Sequence, residues 1–423
     1  MTTTHPARPS PSASPAGLFG WWREGTDDAR RALVAAGLGW MLDAFDVMLY
    51  GLLLPTIIAD LQLTNRTAGA IGSVTLLAAA GGGLGFGVIA DRYGRTRALM
   101  ASVLIYSVFT AACGFADSAL QLAIFRILLG IGMGGEWASG AALVSESWPA
   151  EHRGKALGLM QSAWAIGYGL AALVTLLVLP RWGWRAVFFV GVLPALLTLW
   201  VRRYVREPEL WVRSRGAERP RGRLADVFSG GRAAVTVAVT LMNACTLFAW
   251  WGFNLWLPGF LSMPASAGGI GLSAEQMSWF VIAMQVGMWF GYVTFGYIGD
   301  AVGRKRAYIA YLIAAALLIA IYTSVRTPIV LLLLGPFVAF FATGYFSGFG
   351  AVTAEIYPTD VRATAQGFTY NLGRIASAAA PWTVGALAQT RGFDVALSTT
   401  SVAFVLAAVL WFWIPETSGR KLA

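Results

Sequence analysis

Residues 87–95 read GVIADRYGR, and residues 296–304 read GYIGDAVGR. Gly87, Asp91, Gly94 and Arg95 thus recur as Gly296, Asp300, Gly303 and Arg304, at an offset of 209 residues. A second pair keeps the same offset: Glu146-Ser147-Trp148-Pro149 followed by Arg153, and Glu355-Ile356-Tyr357-Pro358 followed by Arg362. Two unrelated motifs that share one offset make the chain an internal duplication. Both motifs sit between long apolar runs, so the repeated unit is a block of membrane helices. Two parallel blocks of this kind point to a transporter.

Composition agrees. Hydrophobic residues make up 57% of the 423 residues and charged residues only 12%, too few to coat a soluble globule of this size. A spanning helix needs about 20 mostly apolar residues, because unpaired backbone groups are not tolerated in hydrocarbon. Twelve such spans are predicted, at 33–59, 68–90, 98–116, 119–145, 156–179, 184–204, 233–261, 275–299, 307–324, 328–354, 364–389 and 394–415. The expected fold is an all-α membrane protein, with twelve transmembrane helices in two pseudo-symmetric six-helix halves.

The basic residues set the orientation. With the N-terminus cytoplasmic, the inner segments carry 24 of the 31 Lys and Arg, the outer segments carry 5, and Arg126 and Arg374 lie within spans. Both termini are therefore expected inside, in the cytoplasmic (inner or plasma) membrane. The net charge of +10 then faces an anionic leaflet and calls for no nucleic acid. The domain reading is a disordered cytoplasmic tail over 1–30, a six-helix bundle over 31–204, a cytoplasmic linker over 205–232, a second bundle over 233–415 and a tail over 416–423. Cys113 and Cys245 fall inside spans, while His5 and His152 are isolated, so neither a metal site nor a cofactor is expected. With no Walker motif and no nucleophile constellation, an enzyme is the least favoured reading.

The G-x-x-x-D-R-x-G-R loop at Gly87, Asp91, Arg92, Gly94 and Arg95 resembles the signature loop of the major facilitator superfamily. Its echo at Gly296, Asp300, Gly303 and Arg304 carries Ala301 in place of the first arginine. The resemblance implies that this loop is a conformational latch. Physically, its glycines permit a tight turn, and its carboxylate can meet loop arginines or a helix end. Pro-Glu-Thr-x-Gly-Arg at 415–420 is similar to the motif that follows the last span in sugar and organic-acid members, and Arg206-Glu207-Pro208 holds the matching place after the sixth.

Five charged side chains are expected at membrane depth: Asp43, Asp46, Glu136, Arg126 and Arg374. Such residues are costly against lipid and so face the bundle interior, a partner or water. Asp43 and Asp46, spaced i, i+3, share one helix face. Close carboxylates in low dielectric resist double ionisation, which makes the pair a candidate for proton coupling, with Glu136 beside it. GWMLDAFDVMLYG at 39–51 resembles the first span of the aromatic-acid and sialate/monocarboxylate:proton symporters, where a D-x-x-D pair is important. Ala44, where aromatic-acid members typically have glycine, favours the sialate/monocarboxylate branch.

Arg374 has Ala165 as its repeat equivalent, so the duplication did not require it. Its planar donor fork suits a carboxylate, which makes it the candidate anion clamp, with Tyr370 and Asn371 as orienting partners. Arg126 serves the substrate, the conformational change or a cross-helix pair, and the residues do not separate these roles. Tyr50, Gln161, Asn254, Gln285 and Tyr345 are further cavity candidates, each as well explained by helix–helix hydrogen bonding. The expected partners are a small organic acid, protons and the lipid bilayer, for a monomeric carrier. A sugar porter, a drug:proton antiporter and a non-transporting metabolite sensor remain as alternatives.

Overall fold

The structure is a computed structural model, and it describes residues 21–207 and 224–418. Of the segment read as an N-terminal tail, residues 1–20 lie outside the described residues. Residues 21–30 form a short helix, α1 (Trp21–Glu24), and the first turn of α2 (Asp27–Asp60). The rest of the linker core (208–223) and of the C-terminal tail (419–423) is likewise outside the described residues. Between them, a 3-10 turn at Leu224–Phe228 leads into the second half.

The first half continues with α3 (Asn65–Tyr93), α4 (Arg95–Cys113), α5 (Ala119–Ser147), α6 (Ala150–Val190) and α7 (Ala195–Tyr204). The second contains α8 (Ala233–Ser262), α9 (Ala274–Val302), α10 (Arg304–Ser324), α11 (Pro328–Gly344), α12 (Phe349–Ile356), α13 (Thr359–Ser377), α14 (Ala379–Arg391) and α15 (Phe393–Leu410). Among the described residues, ten segments are long and apolar enough to cross a membrane by length and composition. One of them, His152–Tyr204, is 53 residues long and holds two spans. Gly183, at φ +74, breaks it where the sequence separates 156–179 from 184–204. The eleventh span, α13 with α14, is divided at Ala378, three residues before Pro381, whose missing N–H removes a rung of the helix ladder. The tenth span is likewise interrupted by a 3-10 turn at Tyr345–Gly348, between α11 and α12.

Glycine decides the packing inside each half. A Cβ on Gly134 of α5 would stand 2.0 Å from the Ala79 carbonyl oxygen of α3, and one on Gly132 would stand 2.7 Å from the Tyr106 amide of α4. The glycine-rich stretch of α5 therefore lets α3 and α4 approach backbone to backbone, as small residues do between membrane helices. The second half repeats the device. Gly82 lies against the Ile131 carbonyl, and its equivalent Gly291 lies against the Phe340 carbonyl. Across the two halves α2 packs on α8, α6 on α9, and α3 on α14.

One end of the bundle carries the described residues that flank the linker, 204–207 and 224–228, together with Trp21 and Ser418, and is termed the linker end. The bonds that join the halves gather towards the opposite, far end. There the Arg66 amide donates to Gln389 at 3.2 Å, the Trp382 amide donates to Ser73 at 3.1 Å, and Arg66 lies over the Trp382 ring. Gly69 and Gly72 rest on Pro381, so α3 and α14 close in direct backbone contact.

Candidate functional site

The five charged residues expected inside spans are all buried, none more than 5% exposed. Asp43 and Asp46 come from α2, Glu136 and Arg126 from α5, and Arg374 from α13. All six carboxylate oxygens of the three acids lack a hydrogen-bond partner. Thr110 lies beside Asp46, but its single hydroxyl proton goes to the Tyr106 carbonyl at 2.8 Å, which leaves that carboxylate without a donor. Glu136 is pressed against Gly39 of α2, where a Cβ would meet its Oε1 at 2.6 Å. A buried carboxylate in such surroundings is tolerated only when it is neutral, hydrated or opposite a cation.

The cations divide between the acids. Asp43 lies within electrostatic reach of Arg374 across the boundary between the halves, and Asp46 within reach of Arg126 in the first half, neither as a hydrogen-bonded pair. Arg126 and Glu136, ten residues apart in sequence, do not pair. The Arg126 guanidinium lies 4.6 Å over the Tyr50 ring, its Nε and Nη1 have no hydrogen-bond partner, and the Tyr50 hydroxyl donates to the Ala68 carbonyl at 2.8 Å. Arg126 also lines a cavity of about 10 Å³, room for one water, whose walls include Thr75 from one half and Trp251 and Leu255 from the other.

The remaining candidates are dispersed. Tyr370 sits within electrostatic reach of Arg374. Asn371 donates to the Gly367 carbonyl of its own helix at 2.9 Å, and Gln285 donates to the Val281 carbonyl at 3.3 Å. Gln161 meets the Tyr292 side chain across the halves. Asn254 bonds its own helix at the Trp250 carbonyl, while its backbone oxygen accepts from the Tyr168 hydroxyl of the other half at 3.3 Å. Tyr345 stacks on Phe346, with ring centroids 4.7 Å apart.

Two groups of residues were missed by the sequence reading. Tyr106 of α4 is wholly buried among Asp43, Glu136 and Asp46, and its hydroxyl donates to the Gly39 carbonyl at 3.3 Å. No sequence signal marked it out, since one tyrosine in an apolar run is unremarkable. The second group is Trp40 and Trp164 of the first half, which cluster with Trp250 and Trp251 of the second, a pair the sequence leaves as either pocket-lining or interface packing. Here a signal existed. Membrane tryptophans collect at the two interfaces, and these four lie about midway along their helices.

At the linker end, the repeated loop becomes a repeated network. The Arg95 amide donates to Glu207 at 2.8 Å, and the Arg95 side chain pairs with Glu146 at 2.9 Å. In the second half the Arg304 amide donates to Glu416 at 2.9 Å, while the Arg304 side chain reaches Asp300 at 2.7 Å and Glu355 at 3.4 Å. All three positions, 95/304, 146/355 and 207/416, share the offset of 209. Gly94 and Gly303 start α4 and α10 from φ of +116 and +98, a region that favours glycine. Gly87 and Gly296 are helical, with open space where a Cβ would stand. Arg92 is exposed and lies over the Tyr93 ring, and the Asp91 side chain lies outside the described residues. For Glu416, burial works to raise the carboxyl pKa, but amides of Ser418, Lys305, Thr417 and Arg304 outweigh it and hold the group below its usual range.

Two pseudo-symmetric six-helix bundles with buried charges where they meet define a multi-pass integral membrane transporter rather than an enzyme. The sequence matches the Major Facilitator Superfamily over residues 36–268 and again over 239–423, and the chain belongs to that family. It is 35% identical to a probable 4-methylmuconolactone transporter of Cupriavidus pinatubonensis, covering 95% of this chain and 94% of the relative. It is 31% identical to the sialic acid transporter NanX of Escherichia coli, covering 93% of this chain and 96% of the relative. Among solved structures, a D-xylose-proton symporter superposes with a TM-score of 0.76 at 21% identity, covering 93% of this chain and 99% of that one, which shows the shared fold.

Proposed function

We propose that the protein is a monomeric secondary carrier that brings a small organic anion and protons together across the cytoplasmic membrane by alternating access. The observation that carries this reading is the burial of Asp43, with no hydrogen-bond partner, in one half and of Arg374 in the other, within electrostatic reach of each other. A substrate carboxylate and Asp43 compete for the same guanidinium. When Asp43 takes a proton its charge no longer draws on Arg374, whose fork is then left to donate to the anion in bidentate fashion. Loss of that proton on the other side restores the competing negative charge near Arg374 and weakens the hold on the cargo. Asp46 and Glu136 extend the proton-accepting group, with Tyr106 between them, while Arg126 and Tyr50 hold α2 and α5 in register. The names of the Cupriavidus and Escherichia coli relatives support cargo of this size, and the second supports an acid.

The asymmetry of Lys and Arg supports a cytoplasmic linker end, with both termini on that side. Closure at the far end then corresponds to a carrier facing inward. Arg95 with Glu146 and Glu207, and Arg304 with Glu355 and Glu416, act as the latch: each set ties the start of one helix to two others, so a half moves as one body.

The test is reconstitution in liposomes that hold a pH-sensitive dye, challenged with a panel of organic acids, sugars and cationic drugs. Acidification driven by carboxylates, lost in Arg374→Ala, is the expected result. Asp43→Asn combined with Asp46→Asn is expected to abolish uphill uptake while leaving a folded, monodisperse protein. Alkalinisation on adding cations alone would make the protein an antiporter and overturn the proposal.

A further inference from the structure

Arg126 of α5 is a cation that its surroundings do not balance. It is 1% exposed, and an arginine keeps its charge even when buried. Its Nε and Nη1 have no hydrogen-bond partner. The groups within its electrostatic reach are Cys113, Tyr50 and Asp46, and only Asp46 carries a carboxylate. Tyr50 offers a ring face 4.6 Å away and donates its hydroxyl to the Ala68 carbonyl. Asp46 makes no hydrogen bond to the guanidinium. It turns Oδ1 towards Gly191, just past the end of α6, where a Cβ would stand 3.0 Å away. A ring face offsets only part of the cost of burying a guanidinium, which otherwise calls for an anion at bonding distance. The duplication did not require this charge, since the equivalent of Arg126 is Gly335, packed closely on Met284.

Beside the guanidinium lies the cavity of about 10 Å³. Thr75 and Leu76 wall it from the first half, and Trp251, Leu255 and Pro381 from the second. Its size sets the class of occupant. A space for one water-sized body admits no carboxylate-bearing metabolite, and the largest anion it can take, with small shifts of the Leu76 and Leu255 side chains, is monatomic. Its walls set the timing. Gly72 rests on Pro381 in the far-end closure, and both residues line the cavity. An ion held there therefore belongs to the closed state and is released when the halves part.

We propose that Arg126 and this cavity form a binding site for a single halide ion, and that the bound ion stabilises the far-end-closed carrier. The halide supplies the counter-charge that the Tyr50 face does not, and it accepts from Nε or Nη1. Asp46 cannot serve in its place while it holds a proton. The site is separate from the Arg374 clamp, takes a different ligand and is independent of the identity of the cargo.

The test uses purified protein with no organic acid present, melted in sodium chloride, sodium bromide and sodium sulfate at matched ionic strength. Sulfate stabilises proteins non-specifically more than halides do, so a halide advantage reports a site rather than a salt effect. The melting temperature in about 0.1 M chloride or bromide is expected to exceed that in sulfate by roughly 1–3 °C. Labelling of a cysteine placed at Ser73 is expected to slow by roughly three- to tenfold in the same comparison, the population shift produced by one site filled to a few times its dissociation constant. Arg126→Gln, which removes the cation, and Thr75→Ile, which keeps it and fills the cavity, should each abolish both effects. Thr75→Ile retains every charge and carries the test if Arg126→Gln does not fold. Greater stability in sulfate than in halide for the unaltered protein would overturn the proposal, because Asp46 or a water molecule would then be the partner of Arg126. A halide advantage that survives in Thr75→Ile would place the ion elsewhere and overturn it as well. Neither outcome touches the carriage of an organic anion, which is read by uptake and depends on Arg374.

Discussion

At the scale of single residues, environment separates side chains that composition treats alike. Asp46 and Asp60 sit fourteen residues apart on one helix. Asp46 has no donor, whereas Asp60 accepts from Arg185 at 2.6 Å and from Trp184 at 3.1 Å. Those two bonds, Arg185 first, hold the Asp60 carboxyl below its ordinary range. A carboxyl with a depressed folded pKa contributes stability that is present above its unfolded value, near about 4, and is lost as pH falls through the folded value. The far-end tie is therefore expected to weaken only in acid, and modestly, because it is exposed. In Asp60→Asn that part of the acid-dependent fall in melting temperature should be missing, as scanning calorimetry across pH would show. Tyr106 offers a second residue-scale prediction. Tyr106→Phe keeps the ring and removes a hydroxyl from among three acids, so the pH optimum of uptake should shift while the melting temperature changes little. An unmoved pH profile would remove Tyr106 from the proton-accepting group.

At the scale of elements, the duplication preserves relationships more faithfully than residues. Asp117 pairs with Arg185 at 3.2 Å in the first half, and Arg326 pairs with Asp394 at 3.2 Å in the second. These are equivalent positions at the offset of 209 with their charges exchanged. The need is an ion pair joining two spans at the far end, and either polarity meets it. Glycine contacts admit no such exchange, because a carbonyl oxygen against a bare Cα has no substitute. Gly134→Ala is expected to destabilise the first half by about 1–3 kcal/mol, the usual cost of overpacking. Gly85→Ala, on a helix with open space around the position, should be neutral or stabilising by up to about 1 kcal/mol. Thermal melting of the two variants in the same detergent decides. These helices were legible because a span of about 20 apolar residues has few alternatives. The breaks at Ala378 and Tyr345 were less so, since Pro381 and Pro336 leave the apolar run intact and the break depends on what packs alongside.

At the scale of the whole molecule, what matters is which end of the bundle is closed. Gly69 and Gly72 against Pro381, with the Arg66–Gln389 and Ser73–Trp382 bonds, hold α3 and α14 together. A Cβ on Gly69 would lie 2.4 Å from the Pro381 carbonyl oxygen. Gly69→Leu should bias the carrier against far-end closure by the cost of overpacking, about 1–3 kcal/mol, or roughly 5- to 150-fold in population. Thiol labelling of a cysteine placed at Ser73 should then rise, and uptake should fall, in a protein that still runs as a single species. Unchanged labelling would mean that this contact does not set the state.

The sequence by itself determined the class, the halves and the charges at membrane depth. Hydrocarbon forbids unpaired backbone, so length and apolarity dictate helices, and one repeated offset dictates two bundles. The same logic singled out Asp43, Asp46, Glu136, Arg126 and Arg374, because an ionisable group inside a span needs a reason to be there. Only the tertiary structure decided who meets whom. Arg374 faces Asp43 from a helix more than 300 residues away in sequence, Glu207 reaches back to cap α4, and four tryptophans from three helices form one cluster. Such meetings depend on how the halves are set against each other, and the residues of either half carry no local trace of the other.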